Sequence, residues 1–245
     1  MLCTLYTKGN VYNVHMSRDV RKVSSRLTRA AVLEAASTAL AEGGLAALTM
    51  RNLADRLGVV PMALYRHVRN KEELLDVLMD EAVARVVLPP ADLAWRAGLR
   101  ALAHSIRTAM IENREMASLV IARPNLGPNS IRIGEYGFGV LRQAGFRADA
   151  VEPALNAVLT YTLGFVALEV PRTEGADGVA SMSASLDRVY GTLDWSEFPN
   201  TFAVNPSPGA LASKDQFDFG LEALLDGIGL RQGSPSSEAR AGRRR

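Results

Sequence analysis

The chain has 245 residues, 48% hydrophobic and only 6% aromatic, with 28 basic side chains against 26 acidic ones. That length allows one large or two modest domains with a buried core, and the Ala- and Leu-rich balance favours packed helices over sheets. A single Cys3 excludes an intrachain disulfide, and three scattered histidines (His15, His67, His104) give no zinc spacing, so no metal and no cofactor is expected.

Residues 1–25 read as a flexible extension. MLCTLYTKGNVYNVHM has no helical period, and Met16 opens a more ordinary start for the ordered chain. Lys8 and Asn10 stand where a signal peptide would carry its apolar core, and no apolar run reaches the length of a membrane span. A cytoplasmic protein is the expectation. Arg18, Arg21, Lys22 and Arg26 read as a solvated linker, with an arm touching DNA backbone as the alternative. The first helix is predicted over Arg29–Glu42. Thr28 caps it, Leu27 and Val32 form a staple, Leu33, Ala36 and Leu40 face inward, and Gly43-Gly44 ends it.

The next stretch, LTMRNLADRLGVVPMALYRHVRNK, reads as two short helices joined by a tight turn. Thr49 caps the first, whose stripe is Leu53, Ala54 and Leu57. Gly58 supplies the left-handed position that stops it, and Pro61 fits the first turn of the second. Ala63, Leu64 and Val68 turn inward, and Met62, Tyr65, Arg66 and His67 take the remaining face. Such a pair is a helix-turn-helix. Charge agrees: residues 17–71 carry net +6, residues 72–230 net −9, and the tail from Arg231 net +4. A basic head on an acidic body suits a protein that presents one end to phosphates.

The pattern LT-x-R-x-LA-x-x-LGV, then LY-x-HV-x-NK-x-x-LLD, closely resembles the DNA-reading segment of the tetracycline-repressor (TetR) family. The resemblance implies a three-helix DNA-binding domain over 26–72. On it, Arg51 matches a base- or phosphate-reading arginine, and Tyr65 and His67 match phosphate and sugar contacts. Residue chemistry adds Pro61 and Met62 for thymine methyls, Arg66 for guanine or phosphate, Lys71 as a phosphate clamp and Thr49 as a backbone contact.

Asn70 with Glu73 makes a capping box for the next helix, which runs towards Pro89-Pro90. Its acid pairs, Glu72-Glu73 and Asp80-Glu81, read as surface charge. Further helices are predicted from the Leu93–Met110 stripe, over Met116–Ala122, over Ile131–Ala144 and from Asp149 to Pro171. PRTEGADGVAS reads as a flexible loop and DWSEFPNTFAVNPSPG as an irregular one. Ser213 and Gln216 cap a last helix with the stripe Phe217, Leu221, Leu224, Leu225 and Ile228; residues 231–245 read as a disordered basic tail.

Arg123-Pro124, QAGF (143–146) and YTLGFVALE (161–169) resemble the ligand-binding and dimerisation domain of the same family. The implied architecture is all-α: a helix-turn-helix head and a larger helical body over 73–230. The resemblance also implies an inducer-binding body, with His104, Arg107, Arg123, Asn156 and Tyr161 as candidate polar contacts. It implies a homodimer on a palindromic operator, joined through Leu155, Leu159, Leu163, Phe217, Leu221, Leu224, Leu225 and Ile228. MASLVIARP lacks the histidine that helps hold a magnesium–tetracycline complex in the family, which argues against that drug. No catalytic constellation emerges: there is no G-x-S-x-G, P-loop or His-x-x-x-His. The expected function is a ligand-responsive transcriptional regulator, a repressor, and not an enzyme. The alternative is a helical ligand-binding or interaction protein without operator recognition.

Overall fold

The structure, a computed structural model, describes residues 3–7, 10–14, 27–123, 127–172, 178–204, 206 and 212–232. The chain divides into two compact units, Met1–Leu78 and Met79–Arg245. The division falls inside a helix rather than at the helix start expected from sequence. The basic cluster Arg18–Arg26 and the tail beyond residue 232 lie outside the described residues.

The first unit begins with a correction. Strands β1 (Cys3–Thr7) and β2 (Asn10–Val14) pair antiparallel, with Thr7 opposite Asn10. β-branched and aromatic residues on either side of Lys8-Gly9 are a hairpin signal that a search for helical period passes over. Helix α1 (Arg29–Ala47) starts where Thr28 accepts the N–H of Ala31. Its backbone leaves helical geometry at Gly43 and Gly44, the latter at φ 61°, and resumes for a last turn. Helix α2 (Met50–Arg56) is capped by Thr49, which accepts the N–H of Asn52 at 3.1 Å. It ends in a Schellman turn: Gly58 N–H reaches Asp55 O, Val59 N–H reaches Ala54 O, and Gly58 stands at φ 63°.

Helix α3 covers only Pro61–Leu64. The expected continuous helix through His67 is a turn instead, closed by His67 N–H to Leu64 O at 2.9 Å. Val68 must reach the core and Asn70 must cap the next helix, so the chain cannot keep winding. Leu48, Leu53, Ala54, Leu64 and Val68 are buried in this unit. Helix α4 (Lys71–Ala84) follows, and Asn70 accepts the N–H of Glu73 at 2.8 Å.

In the second unit, α5 (Trp95–Glu112), α6 (Arg114–Ala122), α7 (Pro128–Gln143), α8 (Ala148–Arg172), α9 (Gly178–Tyr190) and α11 (Lys214–Gly229) surround one core. Helix α8 packs against each of the other five. Leu99, Leu102, Leu141, Leu155, Val158, Val166, Phe217, Leu221 and Leu225 fill the centre. By length and composition α8 could cross a membrane, contrary to the sequence expectation, yet Leu155, Val158 and Val166 on it lie in this core. Two segments read as loops are partly helical: α9 begins at Gly178, and Pro199–Val204 forms a short α10 after a 3₁₀ turn at Trp195–Glu197. Trp195 packs on Tyr190 and Phe202 at centroid distances of 5.3 and 5.6 Å, and this local aromatic group holds the segment.

Helix α7 has an unusual start. Gly127 sits at its N-cap and supplies no side chain. Asp80, on α4, takes over: its carboxylate accepts the N–H of Asn129 at 2.9 Å and its side-chain amide at 2.8 Å. A Cβ at Gly127 would overlap that carboxylate, so only glycine leaves room. Asp80 is therefore a capping group and not the surface charge read from sequence. Arg132 and Tyr136 continue along α7, donating to the carbonyls of Val86 and Pro90.

Candidate functional site

The helix-turn-helix presents Thr49, Arg51, Pro61, Met62, Tyr65 and Arg66 to solvent, with His67 and Lys71 half-buried. Its cations fall into two groups. Arg56 pairs with Glu42 at 2.6 Å and bonds Asn52; Arg69 pairs with Glu73 at 3.0 Å. Glu73 also accepts the N–H of Arg69, and that bond, then the guanidinium, holds its carboxyl below the usual carboxylate range. The side chains of Arg51, Arg66 and Lys71 have no ion-pair or hydrogen-bonding partner among the described residues. The uncommitted cations are those the sequence singled out. Val60 is exposed on the same motif, which the sequence alone does not reveal. Val59 is buried at 9% exposure while Val60 stands 51% exposed, a distinction two adjacent valines do not carry in composition.

In the second unit, the structure gathers three of the five candidate effector contacts around Phe217. The Arg107 guanidinium lies 5.2 Å from the centroid of the Phe217 ring and 6.0 Å from that of Phe165. It forms a two-pronged ion pair with Glu169, with both side chains largely buried. That satisfies a carboxylate that would otherwise be costly to bury. Tyr161 stacks on Phe217 at 5.5 Å and donates its hydroxyl to Phe217 O at 2.8 Å. His104 meets the same ring edge-on at 5.2 Å. Its Nε2 lies 2.9 Å from the buried Oδ1 of Asp218, whose other oxygen pairs with Lys214. Burial pushes the His104 imidazole below its usual value, against the pull of Asp218. Beside this group, Arg96 and Arg100 both grip Glu222. The hydrogen bond from Arg100, ahead of that from Arg96, pulls the Glu222 carboxyl down to about 2.

The other two candidates do not join. Asn156 is exposed on α8, and Arg123 ends α6, with its N–H on Leu119 O. Phe165, Asp218 and Glu169 enter instead. Arg107 and Glu169 are separated by 62 positions, so their pairing exists only in the fold.

The expected dimer stripe divides within this chain. Leu155, Phe217, Leu221, Leu225 and Ile228 lie within this chain's own core, and Leu159, Leu163 and Leu224 pack half-buried against it. The strongest apolar stripe of a helix goes to its own core first. What stays exposed is the opposite ridge: Thr160, Gly164 and Leu168 on α8, and Phe219, Ala223 and Gly227 on α11, with Leu230 just past its end.

Comparison with known proteins agrees with both units. Residues 32–78 match the family described as bacterial regulatory proteins, tetR family, and residues 88–231 match the tetracyclin repressor-like C-terminal domain. A curated HTH-type transcriptional regulator of Saccharopolyspora erythraea is 31% identical over 209 residues, 84% of this chain and 86% of that one. The Streptomyces coelicolor TetR family protein ActR, solved in complex with actinorhodin, superposes with a TM-score of 0.74 at 26% identity. The match covers 86% of this chain and all of that one. BioQ, solved with its double-stranded DNA operator, gives 0.59 at 28% identity, over 83% of this chain and 98% of that one. A capped helix-turn-helix with uncommitted cations, a helical body around an aromatic and charged cluster, and matches over both parts lead to one conclusion: the chain belongs to the TetR family of bacterial regulatory proteins.

Proposed function

We propose that the protein is a ligand-responsive transcriptional repressor that binds a palindromic operator as a homodimer and releases it when a small molecule occupies the body. The observation that carries this is the sorting of cations on the helix-turn-helix. Arg56 and Arg69 each face an acidic partner at the surface, while the side chains of Arg51, Arg66 and Lys71 face none among the described residues and are left for phosphates and bases. The operator complex of BioQ and the actinorhodin complex of ActR support the two halves of the reading. We place an aromatic effector against the half-buried Tyr161 and His104 at the edge of the group around Phe217, the Phe217 ring itself being fully buried beneath them. Effector and DNA then oppose each other through their different affinities for two states of the chain. Operation on chromosomal DNA implies the bacterial cytoplasm.

The test is selection from a randomised duplex pool, followed by salt titration of the winning site. A palindrome should emerge. Lys71→Ala should weaken all sequences alike and reduce the salt slope by about one. Arg66→Ala should relax preference at one base pair by about 1–3 kcal/mol. Failure to enrich any sequence over random DNA would overturn the regulator reading.

A further inference from the structure

Between Thr49 and Lys71, the large apolar side chains that stay exposed are Val60, Met62 and Tyr65, at 51%, 73% and 46%. Val60 and Met62 flank Pro61, which is also exposed. Of the other apolar residues of the motif, Leu53, Ala54, Val59, Ala63, Leu64 and Val68 are buried, and Met50 and Leu57 are half-buried. Nothing in the fold asks for an apolar residue at 60. It is the N-cap of α3, where Ser, Thr, Asp or Asn would close the first turn, and Val60 makes no side-chain cap. Local rules broken without structural gain mark positions kept for another purpose.

Valine and methionine carry no strong donor or acceptor. They cannot read the hydrogen-bonding edge of a base. The major groove offers them one apolar group, the C5 methyl of thymine, which 5-methylcytosine also carries. The surrounding charge fits that occupant: Arg51, Arg66 and Lys71 are uncommitted cations of the same motif, suited to the phosphates on either side of a groove.

We propose that Val60 and Met62 form a methyl-reading tip. Each operator half-site then carries thymine at the one or two base pairs this tip meets, and 5-methylcytosine serves there in place of thymine while cytosine does not. The inference rests on the operator-binding reading above and specifies its base chemistry. A variant site with cytosine at those positions therefore gains affinity when the cytosine is methylated, because the C5 methyl is restored.

The experiment uses the full chain and the operator selected above. Deoxyuridine replaces thymine one position at a time. One or two positions should weaken by about fourfold, the worth of a single buried methyl. At those positions, changing T·A to C·G should weaken binding further, and 5-methylcytosine should recover about fourfold over cytosine. Val60→Ala and Met62→Ala should each lower affinity for the thymine operator and lose sensitivity to deoxyuridine at one position, closing a double-mutant cycle. Both side chains are exposed, so thermal melting should match the parent chain. Equal affinity for deoxyuridine and thymine at every position overturns the proposal, as does full deoxyuridine sensitivity in both alanine variants. If no duplex is selected at all, the operator-binding reading fails, and this inference with it.

Discussion

Whether an arginine is available for a phosphate depends on what stands beside it in the fold. Arg51 and Arg56 sit on the same short helix, yet Glu42, towards the far end of the preceding helix, claims only Arg56. Arg51 could be chosen from sequence, because its place in the motif was recognisable. Arg56 could not be set aside, since its partner comes from another helix. The same holds for Glu222, and here the consequence is measurable. Arg100 and then Arg96 hold its carboxyl at about 2, against a usual 4.5. The folded chain therefore binds this proton less tightly than the unfolded chain. The stability it contributes is complete above pH 4.5 and is lost as pH falls towards 2. His104 acts in the same direction at milder pH. Burial depresses its imidazole below 6.5, so the unfolded chain protonates first and stability declines as pH drops through that value. Urea-unfolding midpoints measured from about pH 7.5 to about pH 2.5 should fall in both windows. Glu222→Gln should shrink the lower one, to which Glu73 and Asp194 also contribute, and leave the upper one in place.

Among helices, caps and stops were readable and facing partners were not. Thr28, Thr49, Asn70 and Ser213 each cap where their residue type says they should. These are local events, settled within three positions. The length of α3, by contrast, is set by the needs of Val68 and Asn70 further on. Helices α9 and α10 are hidden in the sequence because turn-forming Gly, Asp, Asn and Pro mask a short aromatic cluster. The contact between α8 and α11 shows what periodicity leaves out. A Cβ at Gly220 would overlap the hydroxyl of Tyr161, so the two helices approach because one residue has no side chain. Gly220→Ala should destabilise the chain by about 1–3 kcal/mol through overpacking. Adding Tyr161→Phe should make the combined loss smaller than the sum of the two, in thermal or urea denaturation. Strict additivity would show that the helices part freely there.

The all-helical architecture was recognisable from the order of motifs alone, but the surface for a second copy was not. An amphipathic stripe does not say whether it faces its own core or a partner, and the strongest stripes here face the core. A charge at Leu221 would therefore test folding and not assembly. The proposed two-fold contact uses the exposed ridges of α8 and α11. Phe219→Glu, at a side chain 74% exposed, should leave melting unchanged, turn a dimer into a monomer by light scattering and weaken binding to a palindrome. A variant that remains dimeric would place the interface elsewhere. How the body unfolds depends in part on Asp80. The first turn of α7 borrows its terminating acceptor from that residue, 49 positions earlier. The turn cannot fray on its own schedule: its amide protons are shielded only while the loop between the two residues is closed. Hydrogen exchange at Asn129 thus reports the opening of α4 from a distance, and the start of one helix serves as a clock for the end of another.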